Sequence, residues 1–330
     1  MWHGCQIGSP GRDFWDKDIT NAPLDPRNAA YMAAMYAAAR RLTAGASEKD
    51  FNTMMAFDVD SVNGAHDIPG GLYPVNVAGA STPKVPVAGG KDGSGHFHPP
   101  SPVPYQSAFS LEYPGSDQHY FVVDAGTAPA CREYEYFDAE VQNNGKRLYV
   151  YAGQEINTQT TTVIARDGGP TVVGINYLPS AITSEELDAT GVPIKHVLNF
   201  VSAARTINGQ VYGLFCQCHR YPAINNGSPY GGPPSIPQSR QPPQGAQMRL
   251  RANFPERGNE ACNRVLEALK HYGMVLRDTG GFFDRGGYFP SNIINMLDYP
   301  NRQANSPAGR TLSCLNTVHL RDFEFVAAHR

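Results

Sequence analysis

The run His119-Tyr120-Phe121-Val122-Val123-Asp124 is followed six residues later by Cys131-Arg132-Glu133-Tyr134-Glu135-Tyr136-Phe137. Aromatic and β-branched residues favour strands, and the alternation of Tyr with Glu in the second run is typical of a strand with two different faces. Similar short runs, separated by Gly, Pro, Asn and Asp, recur between about residues 54 and 222: Leu148–Tyr151, Thr160–Ala165, Val197–Val201 and Val211–Phe215. This spacing predicts a mainly β fold with an antiparallel β-sandwich or barrel-like core.

Two peripheral helices are predicted at the margins of this core, which adds an α+β character there. The first covers Arg27–Leu42, rich in Ala and Met, with Asp25 and Pro26 as N-cap and first-turn residues. The second covers Asn259–Tyr272, with apolar residues at helical spacing and a glycine immediately after it. We interpret both apolar stripes as core-facing.

The 33 glycines and 27 prolines are concentrated in three long loops, at 64–104, 222–245 and 279–290. Residues 222–245 hold eleven Gly or Pro out of twenty-four, which is too many for regular structure. Because strand-like runs lie on both sides of this segment, we predict one β-rich domain over 1–330, with a boundary near 223–246 as the alternative. Asn143-Asn144-Gly145-Lys146 predicts a hairpin turn.

Charge and hydropathy limit the partners that the chain is expected to have. A net charge of −3 and a pI near 6.4 give no basic surface for nucleic acid. No apolar run approaches the roughly 18 residues that a bilayer-spanning helix needs, so no membrane insertion is expected.

Six cysteines and the low lysine content favour an oxidising compartment, extracellular or periplasmic, with at least one disulfide. No signal peptide is visible in the sequence, so this localisation is argued from composition. Their pairing cannot be deduced from spacing. Cys216-Gln217-Cys218-His219 has no second ligand pair at zinc spacing, so two separate disulfides or buried thiols are the favoured interpretation.

Six segments are spread over most of the chain, at 16–26, 119–124, 131–137, 196–200, 248–254 and 265–278. Together, and in this order, they resemble a family of bacterial proteins that are mostly predicted to be secreted. None of the segments is a catalytic signature. The resemblance implies a single β-rich unit and secretion, and it carries over no activity.

Several common enzyme signatures are absent from the sequence. There is no Gly-x-Ser-x-Gly elbow, phosphate-binding P-loop, His-Glu-x-x-His helix or dinucleotide-binding glycine motif. These absences disfavour serine esterases, nucleotide enzymes, zinc proteases and dinucleotide-dependent oxidoreductases. No cofactor is expected except a divalent metal at His96 and His98, which lie on one side of an extended segment, about 7 Å apart along the backbone. The alternative for this Gly- and Pro-flanked pair is an exposed loop.

Proton transfer is expected at the ends of apolar strands. His119 and Asp124 flank one such strand and His196 begins another, and histidine is the commonest proton-transfer residue. Five positions separate His119 from Asp124, so a regular strand places them on opposite faces. The alternative for each histidine is a hydrogen-bonded structural role.

Glu135 and Asp167 are further candidates for acid–base catalysis, because glycoside hydrolysis uses two carboxyl groups about 5 to 9.5 Å apart. Glu135 shares a strand face with Glu133. The alternative to a catalytic role is that this face is the solvated side of an edge strand. A glycine-spaced aromatic loop is the candidate substrate-binding segment, or else a cover for the core. Its candidate residues are Asp278, Phe282, Phe283 and Tyr288.

These observations favour a secreted carbohydrate-active protein, a polysaccharide hydrolase or lyase with a carboxylate and histidine acid–base site. The partner is then a polysaccharide or oligosaccharide. This inference is made from the class of fold and from composition, since fold alone does not determine function. The first alternative is a non-catalytic extracellular protein that binds glycans or other partners, and the second is a metal enzyme built on the histidine pair.

Overall fold

The computed structural model describes residues 2–8, 14–45, 47–59, 73–90, 98–112, 117–171, 173–188, 190–224, 233–257, 259–282, 292–294, 297–298, 315 and 317–328. The helices are α1 Asn28–Leu42, α2 Glu48–Met55, α3 Ser184–Asp188 and α4 Glu260–His271. The strands are β1 Phe57–Val59, β2 Tyr73–Ala78, β3 Lys84–Val85, β4 Val87–Ala88, β5 Val103–Pro104, β6 Tyr120–Asp124, β7 Arg132–Phe137, β8 Glu140–Gln142, β9 Arg147–Tyr149, β10 Ala152–Asn157, β11 Thr162–Asp167, β12 Leu198–Ile207, β13 Gln210–Tyr212, β14 Gln247–Leu250, β15 Met274–Phe282, β16 Asn292–Ile294, β17 Leu297–Asp298 and β18 Phe323–Phe325.

Sheet A has the strand order β1-β16-β12-β15-β14-β18, with β13 paired to β12. Its centre is β12, which is parallel to β15 and antiparallel to β16. Helices α1, α2 and α4 bury their apolar residues in the same core as this sheet, among them Met35 of α1, Met54 of α2 and Leu269 of α4. The largest core of the described residues therefore lies between sheet A and the helices.

Sheet B has the order β11-β10-β7-β6-β2-β17. The strands β6, β7, β10 and β11 form antiparallel pairs, whereas β2 is parallel to β6. Phe121 on one face packs with Tyr177, and Tyr120 on the other face packs in a separate cluster with Tyr105. Both faces of β6 are thus buried. Two small sheets, β3-β5 and β4-β9-β8, complete the described strands.

The predicted mainly β class is confirmed, with mixed rather than purely antiparallel sheets. The predicted N-cap of α1 is wrong, because Arg27 occupies that position and Asp25 instead accepts a hydrogen bond from the Arg27 backbone N–H at 2.8 Å. The second helix begins as predicted, with Asn259 accepting from the Cys262 N–H at 2.8 Å. Gly273 follows it with a φ of +71°.

The predicted hairpin turn joins β8 to β9, and Asn143, Asn144 and Gly145 all have positive φ. The described part of the 222–245 loop is tied back to the chain before it. The Cys216 N–H donates to the Pro242 carbonyl, and the Gln244 N–H donates to the Cys218 carbonyl. Strands on both sides of this loop belong to sheet A. No helix among the described residues is long and apolar enough to cross a lipid bilayer.

The prediction of at least one disulfide is confirmed. Cys5 and Cys131, 126 positions apart, are bridged with a Cα–Cα distance of 5.5 Å, and both are fully buried. Cys216 and Cys218 are bridged to each other with a Cα–Cα distance of 5.1 Å. The expectation of separate disulfides or free thiols at these two positions is therefore wrong. Cys262 is also disulfide-bonded.

Candidate functional site

A buried polar network lies on one face of sheet B. Arg277 of β15 packs over Phe121 on this face. In the antiparallel register Glu133 lies opposite Val123 and Glu135 lies opposite Phe121, so both carboxyl groups share the apolar face of β6. The tyrosines of β7 fall on the other face because side chains alternate along a strand. Glu135 is fully buried and Glu133 nearly so. The alternative interpretation of this face as solvated is therefore wrong.

Main-chain N–H groups and a side-chain amide hold the two glutamates. One Glu135 oxygen accepts from Gln154 Nε2 at 2.6 Å and the other from the Tyr177 N–H at 2.7 Å. Glu133 accepts from the Leu178 N–H at 3.0 Å. Burial, together with the negative charge of Glu135, raises the pKa of Glu133 well above its usual value.

His119 joins this region as a buried ion pair. Its Nδ1 lies 2.8 Å from Glu112 Oε2, and its Nε2 lies 2.9 Å from the Pro170 carbonyl oxygen. A carbonyl oxygen only accepts, so Nε2 carries a hydrogen, and the carboxylate favours a second hydrogen on Nδ1. Burial lowers the pKa of His119, but the charge and hydrogen bond of Glu112 outweigh it and the net shift is upward.

Sheet A contributes Arg277 and Asp278 to the same network. The Arg277 guanidinium is fully buried and lies 4.1 Å from the centre of the Tyr177 ring. Burial raises the pKa of Asp278 to about 6, against the opposing effect of the Arg277 charge. His119, Glu135 and Asp278 are therefore brought into one region between the sheets. Both His119 ring nitrogens are used by protein atoms, so the imidazole is not presented to a ligand.

Asp124 and His196 lie apart from this network. Asp124 is at the opposite end of β6 from His119, where it contacts Lys84 Nζ at 2.9 Å and accepts from the Gly126 N–H at 3.1 Å. His196 contacts Glu186 through Nε2 at 3.0 Å and the Val197 carbonyl through Nδ1 at 2.9 Å. Burial lowers the pKa of His196, but Glu186 outweighs it and raises it overall.

The proposed metal pair is described only in part. His98 is exposed and its backbone N–H donates to Asp167, whereas His96 lies outside the described residues. Within the described ranges, no three His, Cys, Asp or Glu side chains are grouped closely enough to hold a metal ion. Phe283 and Tyr288 also lie outside the described residues, as does the side chain of Phe282, whose backbone ends β15.

An open cavity of about 770 Å³ lies along the polar face of α4. Residues 191–195 and the N-terminal segment around residue 18 complete its wall. This volume falls within the range of small-molecule sites in proteins. The ionisable side chains that line it are Asp18, Lys195, Glu260, Arg264, Glu267 and His271.

Four of these side chains come from α4 at positions 260, 264, 267 and 271. This spacing of three to four residues places them on one helix face. The opposite face buries Val265, Leu266 and Leu269 in the core of sheet A. The cavity is therefore lined by the hydrophilic half of an amphipathic helix.

Arg264 fixes the wall of the cavity. Its guanidinium donates to the Glu186 and Leu187 carbonyl oxygens at 2.5 and 2.6 Å, and its side chain is only 11% exposed. Glu260 accepts from the Gly191 N–H at 2.5 Å. Residues 186, 187 and 191 are thus held against α4 by the Arg264 guanidinium and the Glu260 carboxylate. His196 is linked to this wall through Glu186, whose side chain it contacts and whose carbonyl oxygen accepts from Arg264.

His271 at the end of α4 is held by Asp18 and Thr20. The Thr20 hydroxyl donates to Asp18 Oδ1 at 2.6 Å, so its oxygen is free to accept the hydrogen on His271 Nδ1, 2.9 Å away. Asp18 Oδ2 lies 3.2 Å from the same nitrogen. This arrangement assigns the hydrogen to Nδ1. The other nitrogen, Nε2, lies 3.5 Å from Glu267 Oε2, which is too long for a strong hydrogen bond.

Asp18 is the ionised partner in this group. Burial raises its pKa, but hydrogen bonds from Thr20 and from His271 outweigh that effect, so the pKa lies below its usual value. An ionised carboxylate that fixes an imidazole through Nδ1 leaves Nε2 available for proton transfer. The side chain of His271 is 43% exposed, so a ligand can reach it.

Asp18, Glu267 and His271 were not predicted from the sequence as site residues. The signal for two of them was present, because the charged residues of α4 recur at helical spacing opposite the apolar stripe. Such a stripe is usually a solvated helix face. What turns it into a cavity is the approach of residues 18 and 191–195, which are far away in sequence.

Comparison of the chain with protein-family models, with curated proteins and with solved structures finds no match.

Proposed function

We propose that this protein is an extracellular carbohydrate-active enzyme, a polysaccharide hydrolase, and that the cavity along α4 is its saccharide-binding site. The observation that carries the proposal is the half-exposed His271 on the cavity lining, whose Nδ1 is fixed by Asp18 and Thr20 while its Nε2 lies 3.5 Å from Glu267 Oε2, beyond strong hydrogen-bonding distance. A histidine oriented in this way is suited to general acid–base catalysis.

The lining of the cavity suits a sugar. Carboxylates, amides and a guanidinium supply acceptors and donors for hydroxyl groups, and Tyr272 supplies an aromatic side chain. Three carboxylates face two cationic side chains, Lys195 and Arg264. An acidic uronate substrate would meet a net surplus of negative charge there. We therefore favour hydrolysis of a neutral glycan over elimination from an acidic one.

In the proposed reaction a water molecule adds across the glycosidic bond. An acid protonates the leaving oxygen, and a base removes a proton from the attacking water. We assign the proton-transfer atom to His271 Nε2 and the partner carboxyl group to Glu260 or Glu267.

An extracellular location is part of the proposal. The disulfide between Cys5 and Cys131 joins segments 126 positions apart, and a bridge of this kind persists in an oxidising compartment. The support is the chemistry of the bridge alone.

The test is incubation of the purified protein with a panel of neutral and acidic polysaccharides, with measurement of new reducing ends and of ultraviolet-absorbing unsaturated products. We expect new reducing ends without unsaturated products. His271→Gln should lower the rate by about 10²–10⁴-fold, the usual contribution of a general acid or base. The matched surface control is Glu140→Gln, because Glu140 is exposed on β8 in one of the small sheets and should leave the rate unchanged.

Binding of the hydrolysed glycan to His271→Gln, measured by calorimetry, separates catalysis from folding. We expect binding to be retained, since the remaining cavity lining is intact. Unsaturated products would show elimination instead of hydrolysis. Binding without turnover in the wild-type protein would support the non-catalytic alternative, and the absence of both binding and turnover would refute the proposal.

A further inference from the structure

The disulfide between Cys216 and Cys218 differs in kind from the one between Cys5 and Cys131. It spans a sequence separation of 2, whereas the other spans 126. A disulfide stabilises a protein mainly by restricting the unfolded chain, and this effect grows with the length of the loop that it closes. A bridge around the single residue Gln217 restricts very little, so stability does not account for it.

Hydrogen bonds already fix the backbone on both sides of this bridge. The Cys216 N–H donates to the Pro242 carbonyl at 3.0 Å, and the Gln244 N–H donates to the Cys218 carbonyl at 2.9 Å. Gln244 Nε2 adds a bond to the Cys216 carbonyl at 3.2 Å. These contacts do not depend on the sulfur atoms. The two cysteines would therefore keep their positions in the reduced protein, ready to form the bridge again.

The two sulfur-bearing residues differ in accessibility. Cys216 is fully buried, whereas Cys218 is half-buried between the exposed residues Gln217 and His219. Cys5 and Cys131 are both fully buried. Thiol–disulfide exchange requires access of a thiolate to one sulfur atom, and accessible bridges are the more labile ones. Cys218 is thus the more accessible of the two residues, and attack is expected at its sulfur atom.

In the reduced protein the Cys216 thiol also has a hydrogen-bond acceptor within reach. Cys216 Sγ lies 3.5 Å from the Cys218 carbonyl oxygen, which can accept a hydrogen bond from a thiol at that position. The buried sulfur would therefore not be left without a partner after the bridge opens.

We propose that Cys216–Cys218 is a redox-active site that exchanges with small-molecule thiols. A thiolate attacks Cys218 Sγ, the bridge breaks, and its electron pair leaves with Cys216 Sγ, which takes up a proton. A second thiolate then attacks the outer sulfur of the mixed disulfide and releases the Cys218 thiolate. Two thiols are oxidised to one disulfide, and the protein disulfide is reduced to a dithiol by the same two electrons. The reverse sequence restores the bridge.

The test is exposure of the folded wild-type protein to reduced glutathione, followed by acid quenching, alkylation and peptide mass spectrometry. We expect Cys216 and Cys218 to be alkylated at least about tenfold faster than Cys5 and Cys131, since accessible bridges exchange more readily than buried ones. The buried pair serves as the internal control in the same sample. Equal rates, or reaction of Cys218 only after denaturant is added, would overturn the proposal.

Two single variants test which sulfur is attacked. In Cys216→Ser the remaining Cys218 should form a mixed disulfide with oxidised glutathione under native conditions. In Cys218→Ser the buried Cys216 should remain unmodified until the protein is unfolded. The same extent of modification in both variants, or modification of Cys216 alone, would contradict the assignment. The rate measured on the wild-type protein remains decisive if a variant fails to fold.

Discussion

Replacing Glu112 by Gln tests whether the buried contact with His119 is an ion pair. The two side chains are 2% and 1% exposed, and their charged atoms lie 2.8 Å apart. In Glu112→Gln a buried imidazolium loses its counter-ion, and breaking a buried pair in this way costs about 3–5 kcal/mol. We expect the free energy of unfolding to fall by this amount near pH 6.

The pH dependence of this loss follows from the direction of the His119 pKa shift. Burial lowers the pKa of His119, but Glu112 outweighs it, so the folded-state pKa lies above the unfolded value of about 6.5. A raised histidine pKa contributes stability that is fully present below about pH 6.5 and is lost as the pH rises through the folded-state pKa. The difference between wild type and variant should therefore shrink with increasing pH.

The assay is urea unfolding followed by tryptophan fluorescence between pH 6 and pH 9.5. The control is Glu155→Gln, because Glu155 pairs with the partly exposed Arg132 at 3.4 Å and such pairs contribute about 0–1 kcal/mol. A Glu112→Gln variant within about 0.5 kcal/mol of wild type at pH 6 would refute the ion pair, since breaking a buried pair costs several times that. A difference that grows with pH would refute its sign.

Two further substitutions test the tyrosine face of sheet B and a buried carboxyl group of sheet A. Gly153→Ala should lower the free energy of unfolding by about 1–3 kcal/mol, because the added methyl group meets the buried Tyr136 ring and approaches the Glu135 carbonyl to 3.0 Å; an unchanged urea midpoint would contradict this. Asp278→Asn tests the pKa of about 6, which burial raises. The stability that the protonated Asp278 contributes is fully present below about pH 4 and is lost as the pH rises through 6. The loss in the free energy of unfolding is about 3 kcal/mol for a pKa raised from 3.8 to about 6. Urea unfolding at pH 4.5 and at pH 8 should show this loss of stability in the wild-type protein and not in Asp278→Asn. The same loss in both proteins would exclude Asp278 as its source.

The alternation of Tyr and Glu in β7 predicted both the strand and its two faces. It did not predict that the glutamate face is buried, because the N–H groups that satisfy Glu133 and Glu135 come from Leu178 and Tyr177, more than 40 residues further along the chain. A local sequence pattern predicts which side chains share a face of the strand. Whether that face meets water depends on what packs against it.

Strand pairing shows the same limit. The runs at β6 and β12 were recognisable, but the parallel pairs β2–β6 and β12–β15 join segments that are tens of residues apart. The pair at Cys216 and Cys218 is a different case. Their spacing places both sulfur atoms on one side of an extended segment, but the same arrangement suits a metal-ligand pair or two cysteines bridged to distant partners, so it does not identify their pairing with each other.

Three histidines show why a candidate proton-transfer residue is better judged by its ring nitrogens than by its place on a strand. His119 and His196 stand before apolar strands, where buried carbonyl and carboxylate oxygens engage both nitrogens of each ring. Their raised pKa values follow from those partners and are those of structural ion pairs. His271 stands instead at the end of an amphipathic helix, on the lining of an open cavity. One of its nitrogens is fixed by Thr20 and Asp18, and the other lies 3.5 Å from Glu267 Oε2, beyond strong hydrogen-bonding distance. Proton exchange with a ligand requires that second condition, and this is why the proposed acid–base residue lies on α4.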